Sequence, residues 1–292
     1  MQVAIRSFAK INLALAVLGK RPDGYHAIQT VLQAVSLHDL LVCRPADRLE
    51  LSCRGLPGVP DRENLVWKAA VLLAGAAGGR RGARITLEKR IPAGAGLGGG
   101  SSNAAATLRA LCRLWGLGMG TADLLPIAAE LGSDVPFFLL GGAALGSGRG
   151  EKLEPLEDPP AENLLILFPG VSVSTAEAYR SLNLGLTLET EDTRIHRFCG
   201  QMKQGRTYLA GIFNDFEASI LPAFPPIREA GDFLRRHGAT AVQLCGSGSA
   251  VFGFFPGEES ALAASRSATD RNWRVFPAKT LSRTEYFQNM FG

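Results

Sequence analysis

The chain has 292 residues, and 31 Lys and Arg stand against 27 Asp and Glu, so the formal net charge at pH 7 is only +4. Hydrophobic residues at 46% and charged residues at 20% are typical of a globular protein with a sizeable core, built as one large domain or two. The basic residues are scattered, which argues against a nucleic-acid-binding surface, although a mild positive charge suits an anionic substrate.

The cysteines point to a reducing compartment. There are five of them, an odd number, and none is spaced as C-x-x-C, which argues against a disulfide framework or a zinc site. The N-terminal segment lacks the long apolar stretch that is typical of a secretory signal. Elsewhere, no uninterrupted apolar run approaches the length of a membrane span. We therefore expect a cytoplasmic protein with no membrane or nucleic-acid partner. The expected assembly is a monomer or a weak homodimer, although no feature of the sequence decides between them.

The first predicted element is a strand from Val3 to Val17. Lys10 and Asn12 are two residues apart, so in an extended strand they share a face. Most lysines in strands are solvated, so at this point a surface role and a functional role for Lys10 both stay open. The next segment, Arg21-Pro-Asp-Gly-Tyr-His26, has turn-forming residues in a turn-forming order, with Tyr25 and His26 at its exit.

Strands and one helix are predicted between this turn and residue 91. The predicted strands are 28–37, 42–50 and 83–91, and a loop is predicted at 56–62. A helix is predicted from Asn64 to Ala74, since glycines follow it closely.

The segment from Pro92 to Asn103 contains five glycines between residues 94 and 100, followed by Ser101 and Ser102. Glycine lets backbone N–H groups approach an anion where a Cβ would obstruct them. A helix with one apolar face is predicted to continue to Trp115, with Ser101 or Ser102 as its N-cap. A glycine loop that leads into a helix N-terminus is a typical phosphate-binding arrangement.

Several interpretations of this loop compete. A Walker A motif requires Lys before Ser or Thr, and Gly100 stands there instead. The dinucleotide pattern G-x-G-x-x-G matches at Gly94, Gly96 and Gly99, but it should follow a buried apolar strand, and the segment before Pro92 is alternating and charged. A plain glycine-rich linker would not lead into a periodic helix. The remaining interpretation is the phosphate loop of a small-molecule kinase.

After the loop, a helix beginning at Thr121 as N-cap is predicted to end at Gly132. Asp134 follows in an apolar neighbourhood, and taken alone it is either a cap or turn residue or a functional acid. The glycines at 141, 142, 146 and 148 predict flexible turns over residues 143–150.

The second half of the chain alternates strands and helices. Ser174 is predicted to begin a helix with capping-box spacing to Glu177, and the helix carries Tyr179. Residues 184–204 predict a variable connecting loop. The other predicted elements are strands at 163–168, 241–245, 249–255 and 273–278, a glycine turn at 246–248, and helices at 227–236 and 258–266. This mixture indicates an α+β fold.

Four separated segments together resemble the GHMP kinases. They are Ala9-Lys-Ile-Asn-Leu13, Arg21-Pro-Asp-Gly-Tyr-His26, Pro92 to Ala106, and Leu244-Cys-Gly-Ser-Gly-Ser-Ala250. The glycine loop alone is typical of the whole superfamily. The first two segments resemble the member family that phosphorylates a cytidine diphosphate derivative of methylerythritol, and Asn214-Asp-Phe-Glu217 is similar to that family's Asn-Asp-Leu-Glu.

The resemblance implies a two-lobed fold with ATP and substrate between the lobes. The implied N-terminal lobe, residues 1–155, is ribosomal-protein-S5-like and carries the ATP phosphate loop. The implied C-terminal lobe, residues 156–292, is ferredoxin-like. The role of residues 182–211, where the likeness is weakest, stays open.

The resemblance also implies site residues. Lys10 and Asp134 match the catalytic pair of the family. The implied ATP-binding positions are Asn64, Leu65, Lys89, Pro92, Ala93, Gly94, Ala95, Gly96, Leu97, Gly98, Gly99, Gly100, Ser101, Ser102 and Asn103. The implied substrate contacts are Asn12, Tyr25, His26, Thr175 and Tyr179, with a cytosine held between Tyr25 and Tyr179.

The implied reaction is ATP-dependent phosphorylation of the 2-hydroxyl of that substrate, in non-mevalonate isoprenoid biosynthesis. Mg²⁺ is expected with ATP, with Ser102 as one possible ligand and no dedicated acidic ligand in the motifs. Two alternatives remain: a GHMP kinase acting on mevalonate, homoserine or a sugar, and a non-catalytic relative that only binds its ligand.

Overall fold

Two β-sheets organise the chain. The computed structural model describes residues 2–55, 60–79, 81–182, 192–269 and 271–291. Within these ranges, one sheet has seven strands and the other has four. The strands are β1 Val3–Lys20, β2 His26–Arg44, β3 Leu49–Arg54, β4 Ala83–Glu88, β5 Ala143–Ser147, β6 Lys152–Pro155, β7 Asn163–Phe168, β8 Phe213–Asn214, β9 Ala241–Leu244, β10 Val251–Phe255 and β11 Arg274–Lys279.

Helices cover the sheets and connect them. They are α1 Leu65–Ala76, α2 Gly99–Trp115, α3 Thr121–Leu131, α4 Val135–Leu140, α5 Thr175–Ser181, α6 Thr193–Met202, α7 Glu217–Ala223, α8 Pro225–Arg236, α9 Glu258–Ser267 and α10 Arg283–Met290. Short 3-10 turns lie at Asp61–Glu63 and Arg206–Gly211. Within the ranges given above, no helix is both long and apolar enough to cross a membrane.

The seven-stranded sheet has the order β3-β4-β2-β1-β8, and β5 and β6 extend it from β2. The four-stranded sheet has the order β11-β7-β10-β9, and all its pairs are antiparallel. Along the chain its elements run strand, helices, strand, strand, helix, strand, which is the ferredoxin-like arrangement. The predicted α+β class and ferredoxin-like C-terminal lobe are therefore confirmed.

Strand β1 joins the two halves of the molecule. Its Ile11 and Leu13 are fully buried and pack in one cluster with Ile166 and Phe252 of the four-stranded sheet. Nearly every residue from Phe8 to Val17 is buried. The strand that carries Lys10 and Asn12 is therefore held from both sides, and its polar side chains lie at the junction of the halves.

The last helix, α10, returns to the first half. Its Tyr286 and Met290 belong to the core cluster built by β1, β2 and α2, and the Tyr286 hydroxyl donates to the Phe138 carbonyl at 2.8 Å. No element was predicted after residue 278, yet Ser282 and Glu285 form a capping box there. That spacing is visible in the sequence. The division at residue 155 stays a prediction.

Three other predicted elements differ from the structure. The single strand at 42–50 is wrong, because β2 ends at Arg44 and Pro45, which has no N–H to donate, separates it from β3. The turns at 143–150 are partly wrong, because residues 143–147 form β5, paired with β2. The Ser174–Glu177 capping box is absent, since the Ser174 side chain makes no cap bond.

The connecting loop at 184–204 is also partly wrong. Residues 193–202 form α6, and its buried residues Ile195, Phe198 and Met202 recur at helical spacing. The rest of the helix is polar, which hid this pattern. Residues 184–191 of that prediction lie outside the described ranges, as do residues 56–59 of the predicted loop at 56–62.

Candidate active site

Lys10 is fixed by a short chain of hydrogen bonds. Its side chain is buried, and Nζ donates to Asn12 Oδ1 at 2.7 Å. Asn12 Nδ2 donates to Thr30 Oγ1 at 2.8 Å, and that hydroxyl donates to the Ala14 carbonyl. The shared face of Lys10 and Asn12 predicted from their spacing is confirmed, and the ammonium is held rather than solvated.

Asp134 lies just before α4, with Oδ2 3.9 Å from Lys10 Nζ. Its side chain is 39% exposed and makes no helix-capping bond. No hydrogen bond from the described residues reaches the carboxylate. The group is therefore oriented toward a cation and remains open to a ligand, a geometry that suits a proton acceptor.

The glycine loop joins the two halves through backbone bonds. The Lys10 N–H donates to the Leu97 carbonyl and the Ala250 N–H to the Ala95 carbonyl, each at 3.1 Å. The helix after the loop begins at Gly99, with Gly98 as N-cap at φ 68°. The predicted Ser101 or Ser102 cap is wrong, because both lie inside the first turn of α2 and Ser102 Oγ accepts a bond from Ser7.

Gly98 has no room for a side chain. A Cβ there would lie 2.7 Å from Phe138 Cζ and 3.0 Å from Lys10 Cγ. Its left-handed backbone also costs roughly 1–3 kcal/mol for other residues. We expect Gly98→Val to displace Lys10 and to weaken ATP binding severely. Calorimetry measures the ATP affinity, and thermal melting of the same protein shows whether the variant is folded. The control is Gly118→Val, because nothing lies within 4 Å of a Cβ at Gly118. Ordinary ATP affinity in folded Gly98→Val contradicts the assignment of the loop.

A buried polar cluster lies beneath the loop. Lys89 Nζ donates to Asp39 Oδ2 at 2.5 Å and to Asn103 Oδ1 at 3.0 Å. Asp39 is fully buried and also accepts from the N–H groups of Arg90 and Ile91, which lead into the loop. Two of the predicted nucleotide-binding residues therefore lie together. Asp39, which was not predicted, holds them and the start of the loop.

Asn64 and Leu65 lie on the other side of α2's first turn. Asn64 Oδ1 accepts from the Val66 N–H and caps α1, and Leu65 Cδ1 is 3.6 Å from a Cβ built at Gly100. The structure therefore places the predicted ATP-binding residues 64, 65, 89 and 103 around the same end of α2, outside the cavity described next.

A cavity of about 650 Å³ opens above the loop. It gathers predicted residues from both halves of the chain: Lys10, Asn12, Tyr25, His26, Gly96, Gly98, Asp134, Thr175 and Tyr179. All five predicted substrate contacts and both predicted catalytic residues thus line one space, although up to 169 positions, from 10 to 179, separate them.

The aromatic residues of this cavity pair differently from the prediction. Tyr179 stacks on His26, with ring centroids 4.5 Å apart and an interplanar angle of 13°. Burial raises the pKa of Tyr179 to about 12. Tyr25 is 57% exposed, and the Arg149 guanidinium lies 4.6 Å from its ring centroid. A base held between Tyr25 and Tyr179 would have to displace His26 from the Tyr179 ring.

The surroundings of His26 change its pKa. Burial lowers the pKa of its imidazole, and the charge of Lys20 lowers it further. Both effects favour the neutral form of the ring.

Three cations in the cavity wall were missed by the sequence analysis. Lys20, Arg149 and Arg180 line it together with Lys10, whereas Asp134 is the one carboxylate among the lining residues that the structure describes. This excess of positive charge suits a ligand that carries phosphate groups. Lys20 directly precedes the predicted turn and Arg149 lies in a glycine-rich segment, but no periodic pattern connects the three.

Comparisons with known proteins agree with this geometry. The model of the GHMP kinases N terminal domain matches residues 64–142, and that of the GHMP kinases C terminal domain matches residues 203–274. A 4-diphosphocytidyl-2-C-methyl-D-erythritol kinase from Pelotomaculum thermopropionicum is 43% identical over 274 residues, which cover 92% of this chain and 96% of the relative. The enzyme of that name from Syntrophus aciditrophicus is 42% identical, covering 95% and 99%.

A solved structure leads to the same group. The crystal structure of a 4-(cytidine 5'-diphospho)-2C-methyl-D-erythritol kinase superposes with a TM-score of 0.80 at 37% identity, covering 96% of this chain and 99% of that one. The two GHMP domain models and the relatives matched along nearly their whole length indicate the same family. The chain therefore belongs to the 4-diphosphocytidyl-2-C-methyl-D-erythritol kinase family of the GHMP kinases.

Proposed function

We propose that this chain transfers the γ-phosphoryl group of ATP to the 2-hydroxyl of 4-diphosphocytidyl-2-C-methyl-D-erythritol, giving the 2-phosphate and ADP. The observation that carries the proposal is the Lys10–Asp134 pair, 3.9 Å apart, in a cavity that adjoins the glycine loop. The names of the relatives supply the substrate. The reaction belongs to non-mevalonate isoprenoid precursor biosynthesis.

Phosphoryl transfer depends on positioning and on neutralising charge more than on covalent help from the protein. Asp134 accepts the proton of the attacking 2-hydroxyl. The hydroxyl oxygen forms a bond to the γ-phosphorus as the bond to the β-phosphate oxygen breaks, and ADP leaves. The Lys10 ammonium stabilises negative charge on the transferring group, and Asn12 keeps the ammonium in place.

The glycine loop, residues 92–98, and the N-terminus of α2 hold the ATP phosphates through backbone N–H groups. Asn64, Leu65, Lys89 and Asn103, grouped around the same end of α2, hold the rest of the nucleotide. Lys89 and Asn103 act from a site that Asp39 already orders, so little conformational entropy is lost on binding.

Mg²⁺ accompanies ATP in this proposal. Within the described ranges no group of three or more His, Cys, Asp or Glu forms a metal site. The scarcity of protein ligands fits an ion that is bound mainly by phosphate oxygens and water. The charge of such an ion would neutralise the phosphates. Asp134 is a carboxylate that lines the cavity together with Gly96 and Gly98 of the loop, whereas the Ser102 hydroxyl is buried and bonded to Ser7.

The cytidine end lies at the aromatic wall. The base stacks between Tyr25 and Tyr179 once His26 has moved from the Tyr179 ring, and the Arg149 guanidinium contacts the Tyr25 ring. Thr175 and the cations of the cavity wall lie where a diphosphate crosses from the base toward Asp134.

The five free cysteines are consistent with a cytoplasmic enzyme, which we propose acts as a monomer or a weak homodimer.

We expect Tyr25→Ala to lower kcat/KM for the cytidyl substrate by roughly tenfold to a hundredfold. Stacking of a base on an aromatic ring is worth about 1–3 kcal/mol, and about 1.4 kcal/mol corresponds to a factor of ten. Tyr25→Phe keeps the ring and serves as the matched control. ATP affinity, measured by calorimetry, should not change in either variant. Equal kcat/KM for Tyr25→Ala and the control contradicts stacking on Tyr25.

A coupled assay of ADP release tests the function itself. The purified protein is offered the cytidyl substrate, 2-C-methylerythritol 4-phosphate, mevalonate, homoserine and simple sugars. We expect efficient turnover with the cytidyl substrate and very little with the base-free phosphate. Equal efficiency on the base-free compound refutes the cytidine site, and turnover of mevalonate or homoserine instead identifies another GHMP activity.

A further inference from the structure

The segment Asn214–Glu217 has no part in the proposed chemistry, yet the side chains at both its ends bind the backbone of Leu244 or of the glycine turn that follows it, taken here as residues 245–248. Asn214 Nδ2 donates to the Leu244 carbonyl at 2.9 Å and to the Gly246 carbonyl at 2.8 Å. Glu217 Oε1 accepts from the Leu244 N–H at 2.7 Å. Asn214 therefore binds the carbonyl of Leu244, and Glu217 binds its N–H. Through its bond to Gly246, Asn214 also holds the turn.

Asn214 is itself anchored to the strand that carries Lys10. It lies in β8, which pairs in parallel with β1, and its position is opposite Leu15. The next N–H, that of Asp215, donates to the Leu15 carbonyl at 3.0 Å. Asn214 Oδ1 accepts from the Phe216 N–H, so both ends of the amide are engaged. The side chain thus has a fixed position relative to β1.

The turn held in this way contacts the catalytic strand. A Cβ built on Gly246 would lie 3.4 Å from Lys10 Nζ and 3.5 Å from Asn12 Oδ1. Gln243 Nε2, just before the turn, donates to the Asn12 carbonyl at 2.7 Å. The turn therefore lies directly beside the Lys10–Asn12 pair.

The same turn contacts the phosphate loop. A Cβ on Gly96 would overlap the Cys245 carbonyl oxygen at 1.9 Å. The Cys245 thiol donates to the Gly96 carbonyl at 3.3 Å and to the Lys10 carbonyl at 3.5 Å. One turn thus touches both the lysine and the loop proposed to hold ATP.

We propose that Asn214 and Glu217 are positioning residues, which fix the glycine turn and thereby set the separation between Lys10 and the ATP phosphates. The inference rests on the proposed function. Neither side chain lines the cavity, so both act through the turn rather than on a ligand. These contacts form a continuous chain that returns to Lys10. Strand β1 carries Lys10 and pairs with β8, Asn214 binds the turn from β8, and the turn lies beside Lys10.

Glu217 acts on the strand end as a hydrogen-bond acceptor. It is partly buried, and burial raises the pKa of its carboxyl group. A glutamine offers the same carbonyl oxygen to the Leu244 N–H. Glu217→Gln should therefore preserve the arrangement and Glu217→Ala should not.

We expect Asn214→Ala to lower kcat by about a hundredfold, because displacements near 1 Å at a reacting centre have effects of that size. The KM values for ATP and for the acceptor should change much less, since no ligand contact is lost. Glu217→Ala should behave similarly and Glu217→Gln should resemble the wild type. If Asn214→Ala does not fold, the Glu217 pair carries the test.

Asp215→Asn is the matched control. Asp215 lies in the same segment, but its carboxylate binds the Val17 N–H at 2.9 Å and the guanidinium of Arg194, away from the turn. Its kcat should be unchanged. A loss of kcat in Asp215→Asn equal to that in the other variants, or an unchanged kcat in folded Asn214→Ala, overturns the inference.

Hydrogen–deuterium exchange supplies a readout that needs no substrate. The Leu244 amide, bonded to Glu217, should exchange faster in Glu217→Ala and remain protected in Glu217→Gln and Asp215→Asn. Unchanged exchange in Glu217→Ala overturns the inference, whatever acceptor the enzyme uses. Failure of the proposed function is distinct, because there the wild-type protein itself does not turn over the cytidyl substrate.

Discussion

Asp134→Ala is expected to lower kcat by about 10²–10⁴-fold, the usual contribution of a general base. The carboxylate is 39% exposed and accepts no hydrogen bond from the described residues, so its removal leaves no buried donor unpaired. Lys10 Nζ keeps its bond to Asn12. Thermal stability and ATP affinity should therefore stay close to the wild-type values.

The measurement is steady-state ADP release with the cytidyl substrate, with calorimetry for ATP. Asp134→Asn keeps the size of the side chain and removes its basicity, so it should lose nearly as much. Asp47→Ala, at an exposed position, is the control for removing a surface carboxylate. Turnover near the wild-type rate in folded Asp134→Ala would show that Asp134 is only a residue at the start of α4.

Lys10→Met should lower kcat by about 10²–10³-fold, the usual cost of removing one group that stabilises charge in the transition state. Methionine keeps the length of the chain and removes the ammonium. Because the Lys10 side chain is only 6% exposed, Asn12 Oδ1 loses a buried donor, which costs about 1–3 kcal/mol of stability. Substrate binding should change less than turnover.

Turnover and thermal melting are measured on the same protein, so that a loss of activity caused by unfolding is distinguished from a loss of catalysis in the folded variant. Lys68→Met, at an exposed position of α1, is the matched control and should be unchanged in both. If folded Lys10→Met retains normal turnover, the role of Lys10 is confined to the hydrogen-bond chain through Asn12 to Thr30.

The active-site geometry depends on contacts between distant parts of the chain. Lys10 and Asp134 come from the first half, whereas Thr175, Tyr179 and the glycine turn come from the second. Strand β1 packs on both sheets, and β8 from the second half pairs with it. The site therefore forms only when both halves are folded together.

The sequence alone determined the elements whose signals are local. The helix after the glycine loop ends at Trp115 as predicted, and β7 has the predicted bounds, because an apolar period or a continuous buried run needs no partner to be visible. The four segments 9–13, 21–26, 92–106 and 244–250 likewise indicated the family, since each is a local pattern of residue types.

The tertiary structure decided what depends on pairing. Residues 143–147 became a strand because β2 offers them an edge, and α6 and α10 formed because a core covers their apolar faces. Packing also placed His26 on Tyr179 and brought Lys20, Arg149 and Arg180 to one cavity. Propensity and spacing act within a few residues, whereas these contacts join positions more than a hundred apart, so only the folded chain determines them.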